Sequence, residues 1–352
     1  MKEITELINN IEPIDQGFVE KAWKRLDSLI KPLKSLGRLE EIAAKLVGIY
    51  RKDFPEINKK VVLVFAGDHG VTEEGVSAYP KEVTPQMVFN FLRGSAGINV
   101  LARHAGADVW VTDVGVDYDF EETPGLIKKK VVKGTRNFTK GPAMTREEAE
   151  KCVKVGIDVA NMAIEEGYDL IAIGDMGIGN TTPSSAITAV ITGKSVEEVT
   201  GRGTGVNDET YKRKIEVIKK GIEVNKPDPK NPLDVLAKVG GAEIGACAGV
   251  VLACASKKIP VVVDGFITSA GALIAYALNP LTKDYMFFGH KSQEKGHIAI
   301  LDYIGEKALL DLNLRLGEGT GAALAMFIIE AGLKIYKEML TFEEAGVSKA
   351  IE

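Results

Sequence analysis

The sequence predicts an α/β fold built on a doubly wound, mainly parallel sheet. Three observations lead there. Short β-branched runs alternate with helical stretches along the 352 residues. The runs are largely apolar, which suits strands covered on both faces. Four of the five stop at a glycine beside a polar residue, and open parallel sheets bind ligands outside the carboxyl ends of their strands.

In chain order, residues 1–40 read as helical, with no strand run. Val61 to Ala66 reads as a strand stopping at Gly67-Asp68-His69-Gly70. Val109 to Gly115 reads as the next. Thr145 to Glu166 is a helix: Thr145 and Glu148 form a capping-box pattern, and Ala149, Cys152, Val153, Ala160, Ala163 and Ile164 keep helical spacing. Leu170 to Ile173 is a strand that stops at Gly174-Asp175. Ile244 to Ala255 is apolar and rich in Ala, Gly and Cys, but short of the ~20 residues of a membrane span, so it reads as a close-packed buried helix. Val261 to Val263 leads into Asp264-Gly265, and Asp284 to Phe288 into Gly289-His290. Beyond residue 310 the chain is helical again. Three parts are expected: residues 41–310 as a large domain, and 1–40 with 311–352 as a small helical domain.

A net charge of −5 gives no basic footprint for nucleic acid. Charged residues make up 26%, too evenly balanced in sign for a disordered chain. Lys2, Glu3 and Glu6 occupy positions where an export signal is apolar, so a cytoplasmic location is expected. Cys152, Cys247 and Cys254 are odd in number and lack close pairing, which argues against disulfides or a zinc site. Glycine is in excess, 37 of 352.

Four segments carry candidate chemistry. Gly174 to Pro183 follows a strand and opens a helical stretch; Asn180, Thr181 and Thr182 add side-chain donors. It is either a phosphate or ribose site or a structural turn, and it lacks the Lys of a Walker loop. Gly201-Arg202-Gly203-Thr204-Gly205 is a second glycine-rich loop, with Lys212 and Lys214 shortly after on a charged helix face. Val261 to Gly271 is similar to the ribose-phosphate loop of diphosphate-dependent phosphoribosyltransferases, but a single acid, Asp264, stands before Gly265 where those enzymes have two. A magnesium-diphosphate grip therefore has little support. Arg315-Leu316-Gly317-Glu318-Gly319-Thr320-Gly321 places one acid between glycines. Glu318 is either a general base facing a cleft or an acid at a helix N-terminus. His69 could line a site or be hydrogen-bonded structure; His290 and His297 match no metal-ligand spacing. No Gly-x-Ser-x-Gly elbow supports a serine hydrolase.

Together with Ser35 to Glu40, Ala66 to Val71, Gly75 to Pro80, Val83 to Met87 and Asp264-Gly265-Phe266, these segments occur in one order. That order resembles the nicotinate-nucleotide:dimethylbenzimidazole phosphoribosyltransferase family across essentially the whole chain. The resemblance implies a Rossmann-like large domain, a homodimer, and transfer of 5-phosphoribosyl from nicotinate mononucleotide to dimethylbenzimidazole, with no cofactor or metal. It implies Glu318 as general base and Gln86 in the benzimidazole pocket. It implies substrate contacts from Ser77, Tyr79, Asp175, Gly177, Gly179, Asn180, Thr181, Arg202, Gly203, Thr204, Lys214, Asp264, Gly265 and Leu316. Two departures stand out. Asp175 replaces a usual Glu and shortens its reach by one methylene. Leu33-Lys34 replaces a usual Pro-Gly. The alternatives are the same chemistry on adenine, another benzimidazole or a phenol, and a nucleotide-binding protein with a dead site.

Overall fold

The computed structural model describes residues 2–203 and 205–348. Helices α1 (Lys2–Asn9), α2 (Gln16–Ser28) and α3 (Arg38–Tyr50) precede strand β1 (Lys60–Gly67). Then come α4 (Val83–Arg93), α5 (Gly97–Ala105), β2 (Asp108–Gly115), β3 (Leu126–Lys128), α6 (Arg146–Glu165) and β4 (Leu170–Met176). Next are α7 (Thr181–Thr192), α8 (Val196–Val199), α9 (Asp208–Asn225), α10 (Pro232–Val239), α11 (Ala242–Lys257), β5 (Val261–Val263) and α12 (Phe266–Leu278). The chain closes with β6 (Met286–Phe288), α13 (Lys295–Ile304), α14 (Thr320–Glu338) and α15 (Phe342–Ala345).

The six strands form one sheet in the order β3-β2-β1-β4-β5-β6, and every pairing is parallel. This is the doubly wound arrangement expected. From Val61 to Gly67 every residue of β1 is buried, and so are the three of β5, because helices cover both faces. The strand order reverses between β1 and β4, so their carboxyl ends splay apart and open a crevice there.

Thr145 caps α6 as its sequence predicts. Its hydroxyl accepts from the Glu148 amide at 3.1 Å, and its own amide donates to the Glu148 carboxylate at 2.7 Å. Helix α11 is buried along its length from Ala242 to Ala255 and crosses α6 at backbone contact. A Cβ on Gly156 would stand 1.9 Å from the Ala246 carbonyl oxygen, and one on Gly249 would stand 2.0 Å from that of Val153. All three cysteines are free and buried, and burial pushes their thiols up, which leaves them inert.

The two ends of the chain meet. Helix α14 packs on α3, and Leu29 pairs with Thr341 in an isolated antiparallel bridge. Among the described residues no helix is long and apolar enough to cross a membrane.

The α6–α11 crossing has no room for a methyl group. Gly156→Ala is expected to cost about 3 kcal/mol, seen as a lower urea midpoint at unchanged slope.

Candidate active site

A cavity of about 380 Å³ opens over the carboxyl ends of the central strands. Three kinds of wall enclose it: a carboxylate end, an end of polar and glycine residues, and an apolar middle.

The carboxylate end is built on one turn. Gly317, Glu318 and Gly319 have φ of 87°, 64° and 95°, three successive left-handed residues. Glycine supplies the outer two at little cost; Glu318 in the middle is strained. The turn lies directly on β4. A Cβ on Gly174 would stand 2.2 Å from the Glu318 carbonyl oxygen, so only glycine fits at that strand position.

Asp264, at the end of β5, anchors the turn from behind. Its Oδ1 accepts from the Ala322 amide at 2.8 Å and its Oδ2 from the Gly319 amide at 3.3 Å, capping α14 from outside the helix. The Glu318 carboxylate then reaches the N-terminus of a different helix: Oε2 accepts from the Ile98 amide of α5 at 2.9 Å. Both readings of Glu318 therefore hold in part, since it lines the cavity and also caps a helix. Burial raises its pKa above the ordinary carboxylate range, while the Ile98 amide and the nearby Asp264 charge act in opposite directions. Asp175 faces the same end and accepts from Asn180 Nδ2 at 3.0 Å. Burial, with the charges of Asp264 and Glu243, raises its pKa well above the usual value.

The opposite end gathers Thr181, Gly203, Gly265, Ser292, Glu294 and Arg315. Lys214 stands behind Thr181, fully buried, with Nζ 2.6 Å from the Thr181 hydroxyl. Burial lowers its pKa to about 8. Arg315 Nη1 donates to the Gly203 carbonyl at 3.3 Å. Between the two ends, Met176, Ile178, Phe266, Ile267 and Leu316 form an apolar slot.

Gly177 lets the β4 loop cross the end of β1. Its Cβ would stand 2.3 Å from the Gly67 carbonyl oxygen. Beneath it His69 Nε2 and Glu243 Oε1 are 2.6 Å apart, both fully buried. Burial lowers the His69 pKa, but the charge and hydrogen bond of Glu243 and the charge of Asp68 more than reverse that. His69 is thus a supporting group under the loop.

Of the residues singled out in the sequence, Tyr79, Asp175, Gly177, Asn180, Thr181, Gly203, Gly265, Leu316 and Glu318 share this cavity, with Lys214 behind it. Five others stand elsewhere. Asp264 is wholly buried and uses both oxygens on α14, so it holds the turn and does not face the cavity. Arg202 turns outward, pairs with Asp208 and stacks over Tyr211. Gln86 is exposed on α4, where its neighbours Val83 and Met87 face the cavity instead. Gly179 serves a turn packed on Thr72, with φ of 86°. Ser77 lies in an adjoining depression that shares Tyr79 with the main cavity. Thr204 lies outside the described residues.

Sequence reading missed His290, Ser292, Glu294 and Arg315. The signal was present for His290 and Ser292, which lie at or just beyond the strand end at Gly289-His290.

A family model described as phosphoribosyltransferase matches residues 11–347. The chain is 63% identical over 349 residues, 99% of each chain, to a nicotinate-nucleotide–dimethylbenzimidazole phosphoribosyltransferase of Geotalea uraniireducens. It is 60% identical over 349 residues, again 99% of each, to one of Geobacter sulfurreducens. A crystal structure of CobT from Thermus thermophilus superposes with a TM-score of 0.92 at 48% identity, covering 95% of this chain and all of that one.

Gly174→Ala is expected to lift the 317–319 turn off β4. Hydrogen exchange at the Ala322 amide is then faster than in the parent protein, and stability falls by about 1–3 kcal/mol.

Proposed function

The chain belongs to the nicotinate-nucleotide–dimethylbenzimidazole phosphoribosyltransferase family, and we propose that its cavity performs the reaction as follows. The enzyme transfers 5-phosphoribosyl from nicotinate mononucleotide to 5,6-dimethylbenzimidazole. The products are nicotinate and α-ribazole 5′-phosphate, in cobalamin lower-ligand synthesis. The observation that carries the mechanism is Glu318, a carboxylate of raised pKa fixed at one end of a slot whose other end accepts anions.

The donor's ring nitrogen is cationic while bonded to ribose. As the C1′–N bond breaks, the electron pair returns to that nitrogen and neutralises the ring, so the leaving group needs no proton. An imidazole nitrogen of the benzimidazole attacks C1′ from the opposite face, which converts a β nucleotide to an α product. Bond formation makes the other imidazole N–H acidic. Glu318 takes that proton on one oxygen while Ile98 N–H holds the second. Lys214, Thr181, Gly203 and Ser292 hold the 5′-phosphate, and the apolar slot aligns the two rings. Asp175 keeps its proton to higher pH than an ordinary carboxyl and donates or accepts near the ribose. Assembly as a homodimer, a cytoplasmic location and a small helical domain of residues 1–40 and 311–352 belong to the same reading, the last supported by the Leu29–Thr341 bridge and by Arg25 Nε donating to the Tyr336 carbonyl at 2.9 Å.

Glu318→Gln is expected to lower kcat at least about 100-fold with little change in KM, as loss of a general base requires. Near-normal kcat in that variant would remove Glu318 from the role. In the parent enzyme, Glu318 is an effective base only when ionised, and its pKa is raised. Turnover should therefore fall on acidification with a midpoint above the 4.5 of an ordinary Glu, belonging to the coupled Glu318–Asp175–Asp264 cluster. A panel of bases with nicotinate mononucleotide tests the acceptor. Nicotinate release with dimethylbenzimidazole supports the reading; release only with adenine or a phenol changes the acceptor, and no release with any base leaves a binding protein.

A further inference from the structure

Glu294 has no part in the chemistry above, yet it lines the anion-accepting end and is 6% exposed. It occupies the N-cap position of α13, where a carboxylate ordinarily accepts from the amides of its own first turn. Here its side chain makes no such bond. It crosses the cavity wall instead, and Oε1 accepts from the Gly203 amide at 2.8 Å. On the other side of Gly203, Lys214 Nζ lies 3.3 Å from where a Cβ would stand. The second oxygen, Oε2, is buried with no hydrogen-bond partner. It lies over Gly201, whose Cβ would be 2.1 Å away.

A carboxylate therefore holds the amide and faces the ammonium that a phosphate would need. Two anions cannot share these donors without strong mutual repulsion. The arrangement is also incomplete for the carboxylate, because one oxygen is desolvated and unpaired. We propose that Glu294 is an internal competing anion: it occupies the phosphate end of the cavity, and the 5′-phosphate of donor or product displaces it. This rests on the reading of that end as the phosphate site. When displaced, the side chain turns to its own helix, whose first turn is the ordinary partner of an N-cap carboxylate. Its return favours release of the phosphorylated product, and a nucleoside without phosphate leaves it in place.

The charge and the shape of Glu294 can be separated. Glu294→Gln keeps an oxygen for the Gly203 amide and removes the negative charge. Binding of inorganic phosphate, nicotinate mononucleotide and the corresponding phosphate-free riboside to the full chain is measured by calorimetry at neutral pH, without turnover. Phosphate and mononucleotide are expected to bind at least fivefold tighter to the Gln variant, with riboside affinity unchanged. Unchanged or weaker phosphate binding in a variant that melts like the parent overturns the proposal, and equal weakening of all three ligands makes Glu294 a structural clamp. Should the Gln variant melt early, Glu294→Ala in the same assay carries the same expectation. A parent protein that binds neither phosphate nor mononucleotide overturns both this inference and the phosphate site beneath it. Binding by the parent that is indifferent to Glu294→Gln overturns the inference alone.

Discussion

The reacting end of this molecule depends on a single strained turn being held down. Three consecutive left-handed residues are not a conformation that local preference supplies. The turn at 317–319 persists because the surroundings over-determine it. Gly174 gives it a floor without a side chain, Asp264 bonds the amides that follow it, and the first turn of α5 takes the carboxylate. The one side chain that fixes the Glu318 turn, Asp264, is itself wholly buried at a strand end. Backbone groups of two helices and a strand supply the rest, and such elements hold a side chain more closely than a loop can.

The same arrangement has an electrostatic cost. Glu318, Asp175 and Asp264 all have pKa values raised on folding, with burial the largest cause in each. A carboxyl of this kind adds to stability fully below its unfolded pKa, and the contribution is lost as pH rises through the folded value. Near neutrality these groups therefore weigh against the fold. At the other end burial acts on Lys214 in the opposite sense and draws it toward its neutral form. Each end of the cavity is thus poised away from its own charge. On the proposed reading the donor brings the complementary charges: a dianion to the lysine and a cationic ring toward the carboxylates.

Much of this was legible in the residues, for identifiable reasons. Five apolar runs became strands because continuous burial on both faces leaves a continuous apolar trace. Strand β3 left none, being three partly exposed residues at the sheet edge. Glycine spacing marked the loops correctly, but could not say which glycines face a ligand. Gly177 is demanded by the close approach to Gly67, whereas Gly179 only turns the chain. Charged residues were harder to place, because their partners are decided by the fold. Arg202 is captured by Asp208 within its own loop, and Asp264 by a helix that begins 56 residues later. Glu294 gave no local sign of its role, since a helix-start acid ordinarily bonds its own helix.

Every strand of the sheet has been made once Phe288 is in place, and the loops at residues 174–181 and 201–214 lie before it. The glutamate turn comes 30 residues later, on the way into α14. During synthesis a nascent chain can therefore build its sheet and, on the proposed reading, part of its phosphate wall, while Ser292, Arg315 and Glu318 are still to come. On that reading the entry to the last long helix of the chain is what brings the proton acceptor to a crevice whose strands are already made.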